Sequence, residues 1–338
     1  MVKAFVFGKF LPFHKGHEAL IRFALLKCDF LSVLICCSDR EGVDGETRKS
    51  WIANSLGSAD NLSIQIFNYL ESELPNTSES SQEVSKLWSA RFKEMFPDYN
   101  LVVTSEPYGD YVASFMNIIH IPFDRQREIV PVSATAIRQD LLSNWKYLPK
   151  SSRTYLAFKV VILGTESTGK STLAAQLADH YQCTLVTEAG RDLIKDSKDF
   201  SYDDLISVAH EHSTRIVNAT GGDHPLIIID TDIHITRSYS RFVFNKDLEV
   251  EESLLNHNKA DLYLYLKNDV PFVQDGGRLS EEDRNRLDTF HREILQQADV
   301  KLIEIEGHWC QRFEKAAQAI DRLLNNNRLT LDLKKAPV

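Results

Sequence analysis

Short apolar segments alternate with amphipathic segments along almost the whole chain, and this alternation constrains the fold more than any other feature. Apolar runs typical of strands lie at residues 4–6, 30–37, 62–69, 101–104 and 118–121. Stretches with helical spacing separate them at residues 18–28, 46–56 and 84–96. Strands that alternate with helices need crossover connections, so the sequence predicts an α/β fold with a mainly parallel sheet and helices on both faces.

The alternation stops between residues 143 and 155, where Asn, Pro, Lys and Ser are concentrated, and then begins again. Strand-like runs follow at residues 158–163, 226–229, 262–266 and 300–305, with helical spacing at 173–181, 203–219 and 308–324. A chain of 338 residues is long for one domain and comfortable for two. We therefore predict two α/β domains, residues 1–150 and 151–330, each with its own mainly parallel sheet.

The composition argues against two classes of binding partner, nucleic acids and membranes. The formal net charge is -9 and the pI is near 5.7, so the chain lacks the basic footprint that non-specific nucleic-acid binding needs. No apolar run reaches the roughly 20 residues that span a bilayer, and the first residues lack a signal pattern. The five cysteines include no C-x-x-C pair, which favours reduced thiols. We expect a cytoplasmic protein that binds neither nucleic acid nor membrane.

The strand at residues 158–163 leads into a glycine-rich segment that fits G-x-x-x-x-G-K-[ST] completely. Such a loop curls so that several backbone N–H groups face one anion, and the helix after it adds the positive end of its dipole. The alternative is an ordinary glycine-rich turn. The predicted ATP-binding residues here are Gly164, Thr165, Glu166, Ser167, Thr168, Gly169, Lys170, Ser171 and Thr172. Lys170 is expected to reach the β- and γ-phosphates, and Ser171 to bind Mg²⁺.

Two carboxylates follow the apolar strand at residues 226–229, at Asp230 and Asp232. A carboxylate at the end of such a strand is typical of a Walker-B segment, where it lies near the magnesium ion. We therefore predict Ser171 and Asp230 as metal ligands. One of the two Asp residues is expected to accept the proton of a substrate hydroxyl, and the sequence does not decide which. An N-terminal cap of the next helix is the structural alternative for either one.

A Gly-Gly-Arg segment at residues 276–278 precedes an acidic helix start. A glycine pair next to Arg278 is typical of a lid that brings a guanidinium group to the transferring phosphoryl. The alternative is a solvated loop, with Ser280 as the cap of a helix whose first turn is acidic.

In the first half, residues 8–17 place two histidines three positions apart between the first strand and the first helix. No Cys, Asp or Glu lies in this turn, so a zinc site is poorly supported. Imidazoles at a helix N-terminus suit hydrogen bonding to phosphate oxygens instead, and Gly16 allows close approach of the backbone. Histidines with purely structural partners are the alternative.

This segment resembles the G-x-F-x-P-x-H-x-G-H signature of the nucleotidyltransferase superfamily. Residues 133–138, Ser-Ala-Thr-Ala-Ile-Arg, resemble its second signature, I-S-x-T-x-I-R, except that Val132 replaces the first apolar residue. The resemblance implies that His14 and His17 contact the ATP phosphates, and that other residues of the two signatures hold the triphosphate. The predicted ATP-binding residues of this half are Gly8, Lys9, Phe10, His14, His17, Ser133, Thr135 and Arg138.

A nucleotidyltransferase half followed by a P-loop half resembles the bifunctional NadR-type family. That resemblance implies a Rossmann-like nucleotidyltransferase domain plus a P-loop kinase domain, which together make NAD from nicotinamide riboside through nicotinamide mononucleotide (NMN). It implies ATP as co-substrate of both steps, Mg²⁺ as cofactor, and small molecules as partners. A homo-oligomer is compatible with this resemblance. The implied catalytic residues are His14, His17, Lys170, Asp230, Asp232 and Arg278. Sequence segments that match the family less specifically suggest six substrate contacts: Arg48, Trp51, Tyr108, Asp110, Glu188 and Arg191.

Two alternatives to this function stay open at the level of sequence. The chain could adenylylate or phosphorylate another small metabolite, or it could be an inactive sensor of ATP or NAD. Trp51 and Tyr108 could stack on a cationic pyridinium or simply pack in the core. Some family members carry an N-terminal helix-turn-helix and act as repressors. This chain begins at the adenylyltransferase strand, so we expect no transcriptional role.

Overall fold

A computed structural model describes residues 1–76, 81–194, 199–272 and 279–326. Within these ranges the chain forms two compact units, residues 1–153 and 154–326. None of the helices in the described ranges is long and apolar enough to cross a membrane.

The first unit contains a five-stranded parallel sheet in the order β3-β2-β1-β4-β5. Its strands are β1 (Lys3–Gly8), β2 (Phe30–Ser38), β3 (Leu62–Tyr69), β4 (Leu101–Thr104) and β5 (Ile119–Pro122). Its helices are α1 (Lys15–Leu25), α2 (Gly45–Leu56), α3 (Gln82–Met95), α4 (Tyr108–Met116), α5 (Ala134–Gln139) and α6 (Leu141–Asn144). The helix α7 (Lys150–Leu156) includes the boundary between residues 153 and 154. The strand order reverses between β1 and β4, and ligands of open α/β sheets bind beyond the carboxyl ends of strands at such a point.

Side chains of β1 alternate between two buried clusters, one on each face of the sheet. Ala4 and Val6 belong to the cluster that contains residues of α1 and α2, such as Ile21 and Ile52. Phe5 points the other way, into a cluster with residues of α3 and α4. A period of two along the strand thus produces two apolar faces, each covered by helices.

The segment between residues 143 and 155, predicted as a break, is largely helical. Trp145 and Leu148 are buried, and the Ser152 hydroxyl donates a hydrogen bond to the Phe13 carbonyl at 2.8 Å. Short helices in this segment begin at polar residues: the Asp140 carboxylate accepts from the Ser143 N–H and caps α6.

The second unit contains a five-stranded parallel sheet in the order β10-β9-β6-β8-β7. Its strands are β6 (Phe158–Leu163), β7 (Thr184–Val186), β8 (Leu226–Asp230), β9 (Leu262–Leu266) and β10 (Leu302–Ile305). Its helices are α8 (Lys170–Tyr181), α9 (Gly190–Leu193), α10 (Tyr202–Thr220), α11 (Ile233–Phe244), α12 (Glu252–Asn258), α13 (Glu281–Gln297) and α14 (Trp309–Asn326). The predicted fold class is confirmed: each unit is an α/β layer structure with a parallel sheet. The strand β7 was missed because only three residues form it, at the edge of the sheet.

Candidate active sites

The two histidines of the first unit lie face to face at the start of α1. His14 is the N-cap of this helix, and its Nδ1 accepts a hydrogen bond from the Gly16 N–H at 3.1 Å. Because Nδ1 is the acceptor, a neutral His14 ring carries its proton on Nε2 and donates from there. The His17 ring stacks on His14 with centroids 3.7 Å apart and an interplanar angle of 27°.

Both imidazoles are held in the neutral form. Burial, helped by the Arg127 charge, lowers the pKa of His14 from 6.5 to about 3. Burial also lowers the pKa of His17 well below its usual range, with further contributions from His14, Arg127 and Arg138. Neutral imidazoles donate hydrogen bonds without adding positive charge. The charge that a triphosphate needs must therefore come from the arginine and lysine side chains nearby.

A cleft of about 490 Å³ opens beyond the carboxyl ends of β1 and β4. All eight ATP-binding residues predicted for the first half line it: Gly8, Lys9, Phe10, His14, His17, Ser133, Thr135 and Arg138. Tyr108, predicted as a substrate contact, lines it as well. Two signatures that are about 120 residues apart in sequence thus meet at one cleft.

Arg138 connects the second signature to the histidine loop. Its guanidinium donates to the Leu11 carbonyl at 2.7 Å and to the Thr135 hydroxyl at 3.2 Å. Ser133 precedes it as the N-cap of α5, where its hydroxyl accepts from the Ala136 N–H at 3.0 Å. These bonds keep Arg138 at the edge of the cleft next to His17, whose pKa its charge lowers.

Lys9 is positioned by a buried ionic group. The Glu41 carboxylate lies 2.9 Å from Lys9 Nζ and 2.6 Å from the Arg48 guanidinium. Arg48 is fully buried and also donates to the Lys9 carbonyl at 3.1 Å. Removing one partner would leave an uncompensated buried charge, so this group gives Lys9 a defined position at the cleft.

Three of the predicted substrate contacts lie outside the set of described residues that line the cleft: Arg48, Trp51 and Asp110. Arg48 and Trp51 are buried within the first unit. The Asp110 side chain is more than half exposed and pairs with His120 Nδ1 and with Arg125, each at 2.7 Å. The geometry favours structural roles for these three residues, and their contact with substrate stays a prediction.

Arg127 is a cleft residue that the sequence interpretation missed. It donates to the Val132 carbonyl and to the Glu106 carboxylate, each at 2.7 Å, and lines the cleft together with Glu106. A single arginine in an irregular segment carries no pattern. Only the fold reveals that its charge reaches both histidines.

In the second unit, the glycine-rich segment forms a tight loop between β6 and α8. Gly164, Ser167 and Gly169 have φ of 137°, 60° and 84°. A Cβ on Gly164 would lie 2.7 Å from the Leu266 carbonyl oxygen, so only glycine fits there. The Lys170 ammonium folds over the loop and donates to the Thr165 carbonyl at 3.0 Å. This is the cradle that the motif predicts for a phosphate group.

The two predicted metal ligands of the second unit are adjacent. Ser171 Oγ donates to Asp230 Oδ2 at 2.5 Å, and Asp230 Oδ1 is buried without a hydrogen-bond partner among the described residues. Burial raises the pKa of Asp230, while the Lys170 charge and the Ser171 hydroxyl act against it. No group of three or more His, Cys, Asp or Glu residues in the described part of the chain could hold a metal ion. One hydroxyl and one carboxylate with a spare oxygen nevertheless fit Mg²⁺, since this ion is usually completed by substrate phosphates and water.

Asp232 has a different environment. It is the N-cap of α11, where Oδ1 accepts from the His234 N–H at 2.9 Å and Oδ2 lies 2.6 Å from His234 Nδ1. Burial lowers the pKa of His234, but the Asp232 carboxylate outweighs burial and the net shift is upward. Asp232 thus serves as the cap of α11, its predicted catalytic role stays a prediction, and Asp230 is the carboxylate next to the phosphate loop.

Other predicted residues of this unit surround the loop. Glu166 accepts hydrogen bonds from the Tyr239 hydroxyl at 2.8 Å and the Leu279 N–H at 3.0 Å. Glu188 and Arg191 pair at 2.9 Å, and the charges of both act on the Asp230 pKa. Thr172 is an exposed residue in the first turn of α8. The predicted Arg278 lies outside the described residues.

His291 of α13 is a second residue that sequence patterns missed. It is 1% exposed, and neither ring nitrogen has a hydrogen-bond partner in the described ranges. Burial, followed by the Lys170 and Arg292 charges, lowers its pKa to about 3. A histidine within an amphipathic helix gives no signal that it faces the phosphate-loop lysine.

Known proteins resemble this chain in sequence across both units. Residues 159–312 match the family model described as AAA domain. The chain is 26% identical to the trifunctional NAD biosynthesis/regulator protein NadR of Escherichia coli (strain K12), over 96% of this chain and 83% of that protein. The protein of that name from Salmonella typhimurium is 25% identical over 94% and 82%.

Two solved structures of NadR protein share the fold. The complex with NAD and AMP-PNP has a TM-score of 0.69 at 19% identity and covers 96% of both chains. The complex with NR has a TM-score of 0.70 at 18% identity, and covers 95% of this chain and 96% of that one. Similarity to NadR proteins thus extends along almost the whole chain and includes both sheets.

Proposed function

We propose that the protein is a bifunctional enzyme of NAD synthesis. The second unit phosphorylates nicotinamide riboside with ATP to give NMN, and the first unit adenylylates NMN with a second ATP to give NAD and pyrophosphate. The main support is that two distant nucleotidyltransferase signatures converge on one cleft in a chain whose other unit carries a complete phosphate loop. The similarity to NadR proteins along 96% of the chain agrees with this proposal.

In the adenylyl transfer, a phosphate oxygen of NMN attacks the α-phosphorus of ATP and pyrophosphate leaves. The transition state gains negative charge on phosphate oxygens, so catalysis rests on positioning and charge stabilisation. His14 and His17 donate N–H groups as neutral rings, and Lys9, Arg127 and Arg138 supply the positive charge along the cleft. No side chain forms a covalent bond to substrate.

In the phosphoryl transfer, the 5′-hydroxyl of the riboside attacks the γ-phosphorus of ATP, the bond from the γ-phosphorus to the β–γ bridging oxygen breaks, and ADP leaves. Asp230 or Asp232 accepts the hydroxyl proton. Lys170 and the amides of the curled loop hold the β- and γ-phosphates. Ser171 and Asp230 would hold Mg²⁺, which when bound neutralises phosphate charge. Burial raises the Asp230 pKa, and a cation bound beside the carboxylate would act against that shift, as the Lys170 charge already does.

Paired single-residue changes test the two-site assignment. We expect Lys170→Ala to lower kcat/KM for phosphorylation of the riboside by at least about 100-fold, because the loop loses its only ammonium group among the described residues. Adenylylation of NMN should change less than about twofold. His17→Ala should show the reverse pattern, so each variant is the folding control for the other.

The substrate is tested separately. ATP turnover is measured with NMN and with phosphopantetheine for the first unit, and with nicotinamide riboside for the second. Adenylylation of phosphopantetheine alone would contradict the proposed substrate. Tight NAD binding without turnover in any assay would favour a sensor.

A further inference from the structure

Trp309, the first residue of α14, presents an aromatic ring beside the phosphate loop. It is 52% exposed, although a tryptophan is usually buried. Its ring rests on the last residue of the loop: a Cβ built on Gly169 would lie 2.3 Å from Trp309 Cζ3 and 2.6 Å from Cη2. Residue 169 must therefore be glycine, because any side chain there would clash with the Trp309 ring.

A buried arginine holds this ring in position. The Arg312 guanidinium lies 5.5 Å from the centroid of the Trp309 ring, while Arg312 itself is 1% exposed. It donates to the Thr168 carbonyl of the loop at 2.8 Å and to the Lys267 carbonyl at 3.0 Å, and it pairs with Asp269. The indole thus lies against a fixed cation, while the residue as a whole stays half exposed.

The position and chemistry of this ring suit a nucleobase. Aromatic side chains bind bases by stacking, and a ring fixed beforehand loses little entropy when it does so. A nucleotide whose phosphates occupy the Gly164–Lys170 loop must extend its nucleoside beyond the loop. Trp309 borders that loop at Gly169, the residue immediately before Lys170, where α8 begins.

We propose that Trp309 is the platform on which the adenine base of ATP stacks in the second unit. This inference rests on the nucleotide binding proposed above and adds the residue that recognises the base. Stacking accepts any purine face, so the platform supplies affinity for the base more than discrimination between adenine and guanine.

The test compares ligands with and without a base. Magnesium complexes of AMP-PNP and of inorganic tripolyphosphate are titrated by calorimetry into the wild-type protein and into three variants: W309L, W309F and K170A. The binding event that K170A removes is assigned to the second unit. W309L keeps apolar bulk against Gly169 without a π-face, and W309F keeps a π-face. Circular dichroism and thermal melts verify that each variant is folded.

We expect W309L to weaken the Lys170-dependent binding of AMP-PNP about tenfold or more, and W309F to weaken it much less. Binding of tripolyphosphate should stay within about twofold in both. If W309L weakened the binding of AMP-PNP and of tripolyphosphate equally, the proposal would be overturned, because the ring would then only support the loop. Unchanged AMP-PNP affinity in W309L would overturn it as well.

The outcome does not depend on riboside phosphorylation. A protein that binds AMP-PNP through Lys170 and Trp309 but leaves the riboside unphosphorylated would contradict the proposed reaction and support the platform. If the protein phosphorylated the riboside but W309L bound AMP-PNP with unaltered affinity, the proposed reaction would be supported and the platform contradicted.

Discussion

His14 and His17 act as a pair because their rings are too close to be charged together. At 3.7 Å, two imidazolium rings would repel each other strongly, and the neighbouring arginines add to that repulsion. Burial favours the same neutral state. In the proposed reaction the pair therefore contributes directional N–H donors, and separate cations balance the charge of ATP.

The lowered pKa of His14 predicts a pH dependence of stability. The folded pKa is about 3 and the ordinary value is 6.5, so between these values the unfolded chain binds a proton that the folded chain does not. Stability of the first unit should fall as pH drops below 6.5. At pH 5 one such imidazole costs about 2 kcal/mol.

H14Q removes this titration. We expect the loss of unfolding free energy between pH 7 and pH 5 to shrink by about 2 kcal/mol in this variant, measured by urea denaturation at both pH values. H180Q is the control, since the His180 side chain is exposed. An unaltered pH dependence in H14Q would show that the folded His14 titrates normally.

The strand–loop–helix element of the second unit depends on backbone conformations that side chains rarely adopt. Gly164 has a φ of 137° and contacts the Leu266 carbonyl of β9. The loop that holds Lys170 is therefore locked against the neighbouring strand, and its geometry is present before a nucleotide arrives. Such preorganisation is what a phosphate site requires.

G164A should disrupt this element. The added Cβ would meet a backbone oxygen at 2.7 Å, so β6 and β9 must shift, and we expect a loss of about 2 kcal/mol or more in unfolding free energy. AMP-PNP binding to the second unit should weaken in parallel. Thermal denaturation and calorimetry measure the two effects.

G190A is the matched control in the same unit. Gly190 begins α9, and a Cβ there would meet its nearest atom at an ordinary 3.7 Å. This variant should stay within about 0.5 kcal/mol of wild type. If G164A were equally mild, the close approach to Leu266 would not be a constraint.

At the scale of the whole molecule, one chain carries two unrelated arrangements for which we propose triphosphate binding. The first unit uses neutral imidazoles with arginine and lysine side chains, and the second uses a curled backbone with one ammonium. Each belongs to its own sheet and its own compact unit. The two sites therefore carry separate sets of contacts.

Calorimetry should find two AMP-PNP molecules per polypeptide. K170A should bind one, because the loss of the ammonium affects only the second unit, and the retained event should keep its wild-type affinity within about twofold. A wild-type stoichiometry of one would contradict two independent sites.

The α/β class, the parallel sheets, most of the strands and the two motifs were predictable from sequence, whereas β7 and helices such as α4 and α11 were not predicted. Local patterns carry this information, since apolar periodicity reports secondary structure and a curled loop requires glycine at defined positions. The eight predicted cleft residues of the first unit followed from the resemblance of residues 8–17 and 133–138 to the two nucleotidyltransferase signatures.

Tertiary structure decided which charged groups face one another. Arg127 and Trp309 border the candidate sites only through folding, and the buried contacts of Arg48 and Asp232 are visible only in the folded chain. Protonation states depend on burial and on neighbours distant in sequence, as the stacked histidines demonstrate. Sequence determined the elements and the residue types at their ends, whereas packing determined the partners and charge of each side chain, because Coulomb and desolvation energies depend on distances in space.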